Sequence, residues 1–139
     1  MGAGVEHHRE LQRTISLSDM VAYAGATWDW HRLHYDNDYA QAHGMRAAVV
    51  DGQMLGALMA MQGANEAGAD HWMVELGMQL RSPVFAGDTV TLRTAPDQAS
   101  RPERMRLVHT VLVEERVAAE GFSEFVAIDA ATEANGSAT

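Results

Sequence analysis

Hydrophobic and polar positions divide the chain into helical patterns first and strand-like patterns later. Thr14, Ile15, Ser16 and Leu17 form a short extended lead-in, and Ser18 with Asp19 is the expected N-cap of a helix over residues 19–25. A loop carrying Asp29 to His34 follows. Asp36 or Asn37 is placed to cap a short helix over residues 38–43, and Gly44 suits its C-terminal stop. Over residues 52–66, Met54, Leu55, Ala57, Leu58, Met59, Ala60 and Met61 go nearly all the way round a helix, with Asp51 at the N-cap position. A helix that lacks a polar face for most of its length has to be wrapped by other structure. Strand-like runs come next: residues 72–80, residues 89–93 after the turn Ala86-Gly87-Asp88, and a final hairpin of residues 104–114 and 117–128 around Glu115 and Arg116. One enclosed helix followed by an antiparallel sheet is an α+β layout.

Composition narrows the setting. A chain of 139 residues fits one domain, expected over residues 11–130, with residues 1–10 and the small, polar residues 131–139 disordered. The absence of cysteine excludes disulfides, thiol nucleophiles and Cys-ligated metals. No apolar segment resembles a secretory signal or reaches membrane-spanning length, so a cytoplasmic protein is expected. The net charge of −9 argues against nucleic acid as a partner. All ten basic residues are Arg, so an anionic substrate would have to be met by local guanidinium groups against a repulsive overall field.

The candidate chemistry lies in Asp29-Trp30-His31-Arg32-Leu33-His34. A carboxylate and an imidazole are common proton-transfer groups, and an irregular loop can turn both into one cavity. Trp28, Trp30 and Leu33 add apolar bulk that would dry it. The spacing alone equally fits a capping Asp and a partly buried structural His. A second reading makes His31, His34 and Asp36 metal ligands, with no other cluster to support it. His43, His71 and His109 stand alone and read as surface or sheet residues.

The stretch from Tyr23 to Ala40 resembles the signature of the MaoC-like, (R)-specific enoyl-CoA hydratase family, which runs Gly-Asp-x-Asn-Pro-hydrophobic-His with a small residue six positions on. Its Asp and His fall on Asp29 and His34, and its small residue on Ala40. Val50-Asp51-Gly52-Gln53-Met54-Leu55 is similar to the family's His-Gly-Met-Leu at the start of a central helix. Arg81-Ser82-Pro83-Val84-Phe85-Ala86-Gly87-Asp88 is similar to its Arg-x-Pro-Val-x-x-Gly-Asp turn. The chain departs from the pattern at Trp28 (family Gly), His31-Arg32 (family Asn-Pro) and Asp51 (family His). The His31-to-Asp36 wording is similar to a branch that includes hydratases of branched or dicarboxylic acyl thioesters.

The resemblance implies a single hot-dog domain, an antiparallel sheet wrapped around one long helix. It implies reversible hydration of a 2-enoyl thioester to an (R)-3-hydroxyacyl thioester, with Asp29 and His34 as the acid–base pair. The backbone N–H of Gly52, at the positive end of the central helix, would bind the thioester oxygen. Arg81 and His31 are the weaker candidates for contacting substrate or CoA. No cofactor or metal is expected; CoA or acyl-carrier protein enters as part of the substrate. Hot-dog domains of this size generally dimerise, so a homodimer, a higher even oligomer or pairing with a related subunit is expected, with Trp72 and Met78 either at that contact or in the core. Two rivals remain: a hot-dog thioesterase using Asp51 as its base, and a non-catalytic subunit of a heteromeric hydratase.

Overall fold

The structure, a computed structural model, describes residues 9–129. Five strands, β1 (Arg9–Thr14), β2 (His71–Leu80), β3 (Thr89–Pro96), β4 (Met105–Val113) and β5 (Arg116–Ala127), form one antiparallel sheet in the order β1-β3-β4-β5-β2. The helices α1 (Leu17–Thr27), α2 (Asn37–Ala42) and α3 (Gly52–Ala67) accompany it, with a 3-10 turn at Arg32–His34. The expected hot-dog layout is present, with α3 lying on the sheet. No described helix is long and apolar enough to cross a membrane.

Several boundaries differ for physical reasons. α1 begins earlier than expected because Ser16, not Ser18, caps it: the Asp19 N–H donates to Ser16 Oγ at 3.1 Å and the Ser16 N–H donates to Asp19 Oδ2 at 2.9 Å. This reciprocal capping box places Asp19 three residues inside the cap. Strand β1 was not anticipated. Only Leu11 among its residues is even partly buried, so it lacks the alternation that marks a strand. Arg9 and Glu10, expected to be disordered, pair with Thr94 and Arg93; residues 1–8 and 130–139 lie outside the described residues. The last hairpin turns at Glu114 and Glu115, with Glu114 in the left-handed region at φ 56°.

The main core joins Met54, Leu55, Leu58 and Met59 of α3 to Val90, Leu92, Val111 and Ala119 of the sheet. Close approach at its centre requires glycine: a methyl on Gly121 would stand 2.5 Å from the Gly77 carbonyl oxygen and 2.8 Å from Met59 Sδ. The wrapping of α3 is one-sided, contrary to expectation. Ala57, Met61 and Ala64 stay exposed, because five strands cover only the face that carries Leu55 and Met59. The two edges of the sheet are unlike. β1 shows the charged residues Arg9, Glu10 and Arg13, whereas β2 leaves Trp72, Val74, Leu76, Met78 and Leu80 exposed. Trp72 and Met78 are thus edge residues rather than core.

A polar chain also crosses the interior. His109, 2% exposed, bonds Thr94 Oγ1 through Nδ1 and Ser123 Oγ through Nε2, both at 2.8 Å. These groups lie between the main core and a smaller cluster of Ala67, Leu107 and Phe125. A buried polar group is tolerated when its hydrogen bonds are made, as these are.

Candidate active site

α1 delivers the first residue of the site. It ends at Trp28, whose backbone is left-handed at φ 59°. That conformation strains a residue with a Cβ, which explains why glycine suits the position in the resembling motif. The sharp turn sets Asp29 beside Met20, Tyr23 and Ala24 of α1, and Asp29 Oδ1 accepts from the His31 N–H at 3.3 Å. Trp28 itself is 81% exposed and meets only the edge of Trp30, ring centroids 6.2 Å apart. Trp28→Gly is therefore expected to leave the stability within about 1 kcal/mol of wild type. Relief of about 1–2 kcal/mol of left-handed strain is offset by roughly 0.5–1 kcal/mol of glycine chain entropy and by the lost ring contact. Urea denaturation checks it; a loss above about 2 kcal/mol would show that the strain is not there to be relieved.

The 3-10 turn delivers the second residue. His34 Nδ1 lies 2.8 Å from the Val49 carbonyl oxygen. A carbonyl can only accept, so Nδ1 carries a proton, and in the neutral imidazole Nε2 then holds the lone pair. The Val49 N–H donates in return to the Leu33 carbonyl at 2.8 Å. Val49 is held from its other side by the Arg81-to-Asp88 segment: it bridges Phe85, the Val50 N–H donates to Val84 O at 2.8 Å, and the Ala86 N–H donates to Ala48 O at 2.9 Å. Gly87, at φ 91°, and Asp88, whose Oδ2 accepts from the Phe85 N–H, form the turn of that segment. Arg46 pairs with Asp88. The Pro-Val and Gly-Asp residues thus support the imidazole at one remove.

Asp29 and His34 come together as expected, and a third group joins them. Met20, Tyr23, Ala24, Asp29, His34, Asp51 and Met54 line one small, tight pocket. One carboxylate oxygen each of Asp29 and Asp51 and one ring nitrogen of His34 lie within 4.8 Å of one another. All three can be reached at hydrogen-bond distance from a single central oxygen. Asp51 also caps α3, accepting from the Gln53 N–H through Oδ1 at 2.9 Å. Burial, together with the Asp51 charge, pushes the Tyr23 phenol up, so Tyr23 is a donor there. The wall is one donor facing three acceptors, a match for a guest that carries its own O–H hydrogens.

The other candidates are placed elsewhere. Gly52 opens α3, and its N–H has no partner among the described residues, but it lines a neighbouring groove with Val50, Leu80, Arg81 and Pro83. That groove has a volume of about 310 Å3, and a Leu80 methyl occupies the place of a Gly52 side chain. Arg81 lines the same groove while its Nε donates to Glu120 at 2.9 Å. His31 spends Nδ1 on capping the 3-10 turn, accepting from the Leu33 N–H at 3.2 Å, and its ring meets His34 edge-on at 6.0 Å. The metal set His31, His34 and Asp36 is not assembled. Asp36 instead caps α2 and pairs with Arg32, and the Tyr39 N–H followed by Arg32 holds its carboxyl below the usual carboxylate range. Asp29, His34 and Asp51 are the one described group with spacing suited to a cation. The Val49 carbonyl and Tyr23 were missed, and no side-chain pattern could have pointed to a main-chain acceptor.

A family model described as the MaoC like domain matches residues 2–120. The chain is 33% identical over 82 residues to an (R)-specific enoyl-CoA hydratase of Rhodospirillum rubrum, covering 58% of this chain and 57% of that protein. It spans about half the length of the curated relatives it matches. Its fold is similar to that of the (R)-hydratase from A. caviae involved in PHA biosynthesis, with TM-score 0.81 and 21% identity over 91% of this chain and 98% of that one. It is equally similar to a chain of the ChsH1-ChsH2 complex from Mycobacterium tuberculosis, with TM-score 0.81 and 22% identity over 91% and 99% of the two chains. At these identities the likeness is one of fold.

Proposed function

The chain belongs to the MaoC like domain family, and from that premise we propose that it is a hydro-lyase adding water reversibly to a 2-enoyl thioester, giving an (R)-3-hydroxyacyl thioester. The observation that carries the reading is the bond from His34 Nδ1 to the Val49 carbonyl, which leaves Nε2 an acceptor in the cavity that Asp29 shares. A wall of acceptors favours water in one direction and a 3-hydroxyl in the other.

In hydration, Asp29 and His34 Nε2 hold the water and take one proton as its oxygen bonds to C3. The C2–C3 electron pair moves toward the thioester, and the negative charge on the carbonyl oxygen meets the unpaired Gly52 N–H at the start of α3. The pair returns a proton to C2 to complete the addition. The thioester would lie in the Gly52 groove, where Arg81 is available to phosphates of CoA and His31 stands at the rim on the His34 side. The exposed apolar edge of β2 supports pairing with a second hot-dog chain, since an unblocked edge strand seeks a partner. A copy of the same chain is the proposed partner, and a related subunit the alternative. A cytoplasmic location belongs to the same reading.

Crotonyl-CoA and bulkier enoyl-CoA thioesters should lose their enoyl absorbance on addition of the purified chain. Absence of hydration across the panel would overturn the reading. Free thiol released from saturated acyl-CoA would point instead to a thioesterase using Asp51.

A further inference from the structure

We infer that Asp51 is a third proton-exchanging residue of this site, dividing with the Asp29/His34 pair the two proton transfers that hydration requires. The inference rests on the hydro-lyase reading. Water addition has two proton events, one leaving the water and one arriving at C2, and they occur on different atoms of the substrate. A lone Asp/His pair must perform both. Here the cavity holds three acceptor groups within 4.8 Å of one another, and a water has only two O–H hydrogens to offer them. A water bound to all three is satisfied when the cluster itself holds one exchangeable proton.

That count fits a division of labour. The proton leaving the water goes to one member of the cluster as the O–C3 bond forms. The proton already held by another member goes to C2 as the electron pair of the double bond collapses there. The cluster ends with the same number of protons, one member having gained what another gave, and an incoming water passes the proton back between them. No oxidant, reductant or further co-reactant enters. Asp51 suits the task because its place is fixed from the backbone: Oδ1 is anchored on the Gln53 N–H at 2.9 Å, and a carboxylate oxygen of the same side chain lies within 4.8 Å of Asp29 and His34. Tyr23 stands beside it as a donor. The position follows Val50 directly, so Asp51 and the carbonyl that orients His34 are carried on one short segment.

Asp51 has a structural duty as helix cap, and the experiment separates the two. Asn caps as well as Asp but cannot exchange a proton in the same way, whereas His exchanges protons and caps poorly. Asp51→Asn and Asp51→His are compared with wild type for kcat, KM and melting temperature on whichever enoyl-CoA the wild type hydrates. Expected for Asp51→Asn are a kcat lower by about 100-fold, a KM within about threefold and an unchanged melting temperature. Asp51→His should lose melting temperature yet keep kcat within about tenfold of wild type. A wild-type kcat in Asp51→Asn, or a kcat that follows melting temperature across the two variants, overturns the inference. If Asp29→Asn and His34→Ala abolish hydration while Asp51→Asn does not, only the role of Asp51 falls. A wild type that hydrates none of the thioesters overturns both readings.

Discussion

Replacing Asp29 by Asn, or His34 by Ala, is expected to lower the turnover of enoyl thioester hydration by about 10²–10⁴-fold, the range that a positioned acid or base contributes. The loss should fall on kcat, with KM changed little, because neither group is needed to hold the acyl chain or its carrier. Stability should hardly move. The structural use of Asp29 is one long bond from the His31 N–H, which an Asn oxygen accepts as well. His34→Ala gives up the bond to the Val49 carbonyl, worth about 1 kcal/mol, and Val49 remains held by Leu33 and Phe85. Steady-state kinetics and thermal melts on the same preparations check both statements. Variants that match wild type in turnover would remove Asp29 and His34 from the mechanism.

The second large effect concerns stability against pH. Burial pushes the His109 imidazole down from 6.5 to about 4. In the unfolded chain the same group takes up its proton near its ordinary value of about 6.5. Between these values the unfolded state binds more protons, so stability rises with pH across the window. The contribution is complete above about pH 6.5 and disappears progressively as pH falls through 6.5 toward 4. At about 1.36 kcal/mol per unit the loss is on the order of 3 kcal/mol, a large part of the stability of a small domain. Protonation also demands that both Thr94 and Ser123 accept from the ring at once. Urea denaturation from pH 7.5 to pH 4 measures the slope, and His109→Gln, which can neither titrate nor charge, should flatten it. The carboxylates act lower on the scale. Glu124, held down chiefly by Arg106, and Asp97, held down first by the Ala99 N–H and then by Arg106, give up their contributions as pH falls below the ordinary carboxylate range. An unchanged slope in His109→Gln would assign the acid sensitivity to groups other than His109.

What could be read from the chain depended on whether side chains or the backbone path carried the feature. The central helix announced itself through apolar residues around its whole circumference, and α3 begins at Gly52 as expected. The Asp36 cap and the last hairpin were legible for the same kind of local reason. β1 was not, because its exposed edge carries Arg, Glu and Gln and only Leu11 turns inward. The all-round apolar pattern of α3 asks for other structure around it, yet Met61 stays open beside a sheet that covers one face. In the site, Asp29 and His34 were legible from their loop and the ordered motifs. The convergence of Asp51 on them was not, since it depends on how the segment before α3 is threaded between the 3-10 turn and the Pro83–Gly87 turn. The same threading turns Gly52 toward a different groove from its neighbour.

The bond that orients His34 ends on a main-chain carbonyl, and this has a consequence for how the protein can change over generations. Every amino acid at position 49 brings a carbonyl oxygen, so no single replacement there deletes the acceptor that fixes the imidazole tautomer. The orientation of the His34 ring is thereby insulated from mutational drift at its own support. Asp51 has no such protection, because its contribution is a side chain and one nucleotide change can remove it. Descendants of this chain should therefore keep the orientation of His34 whatever residue stands at position 49, whereas Asp51 persists only as long as selection on its side chain holds it.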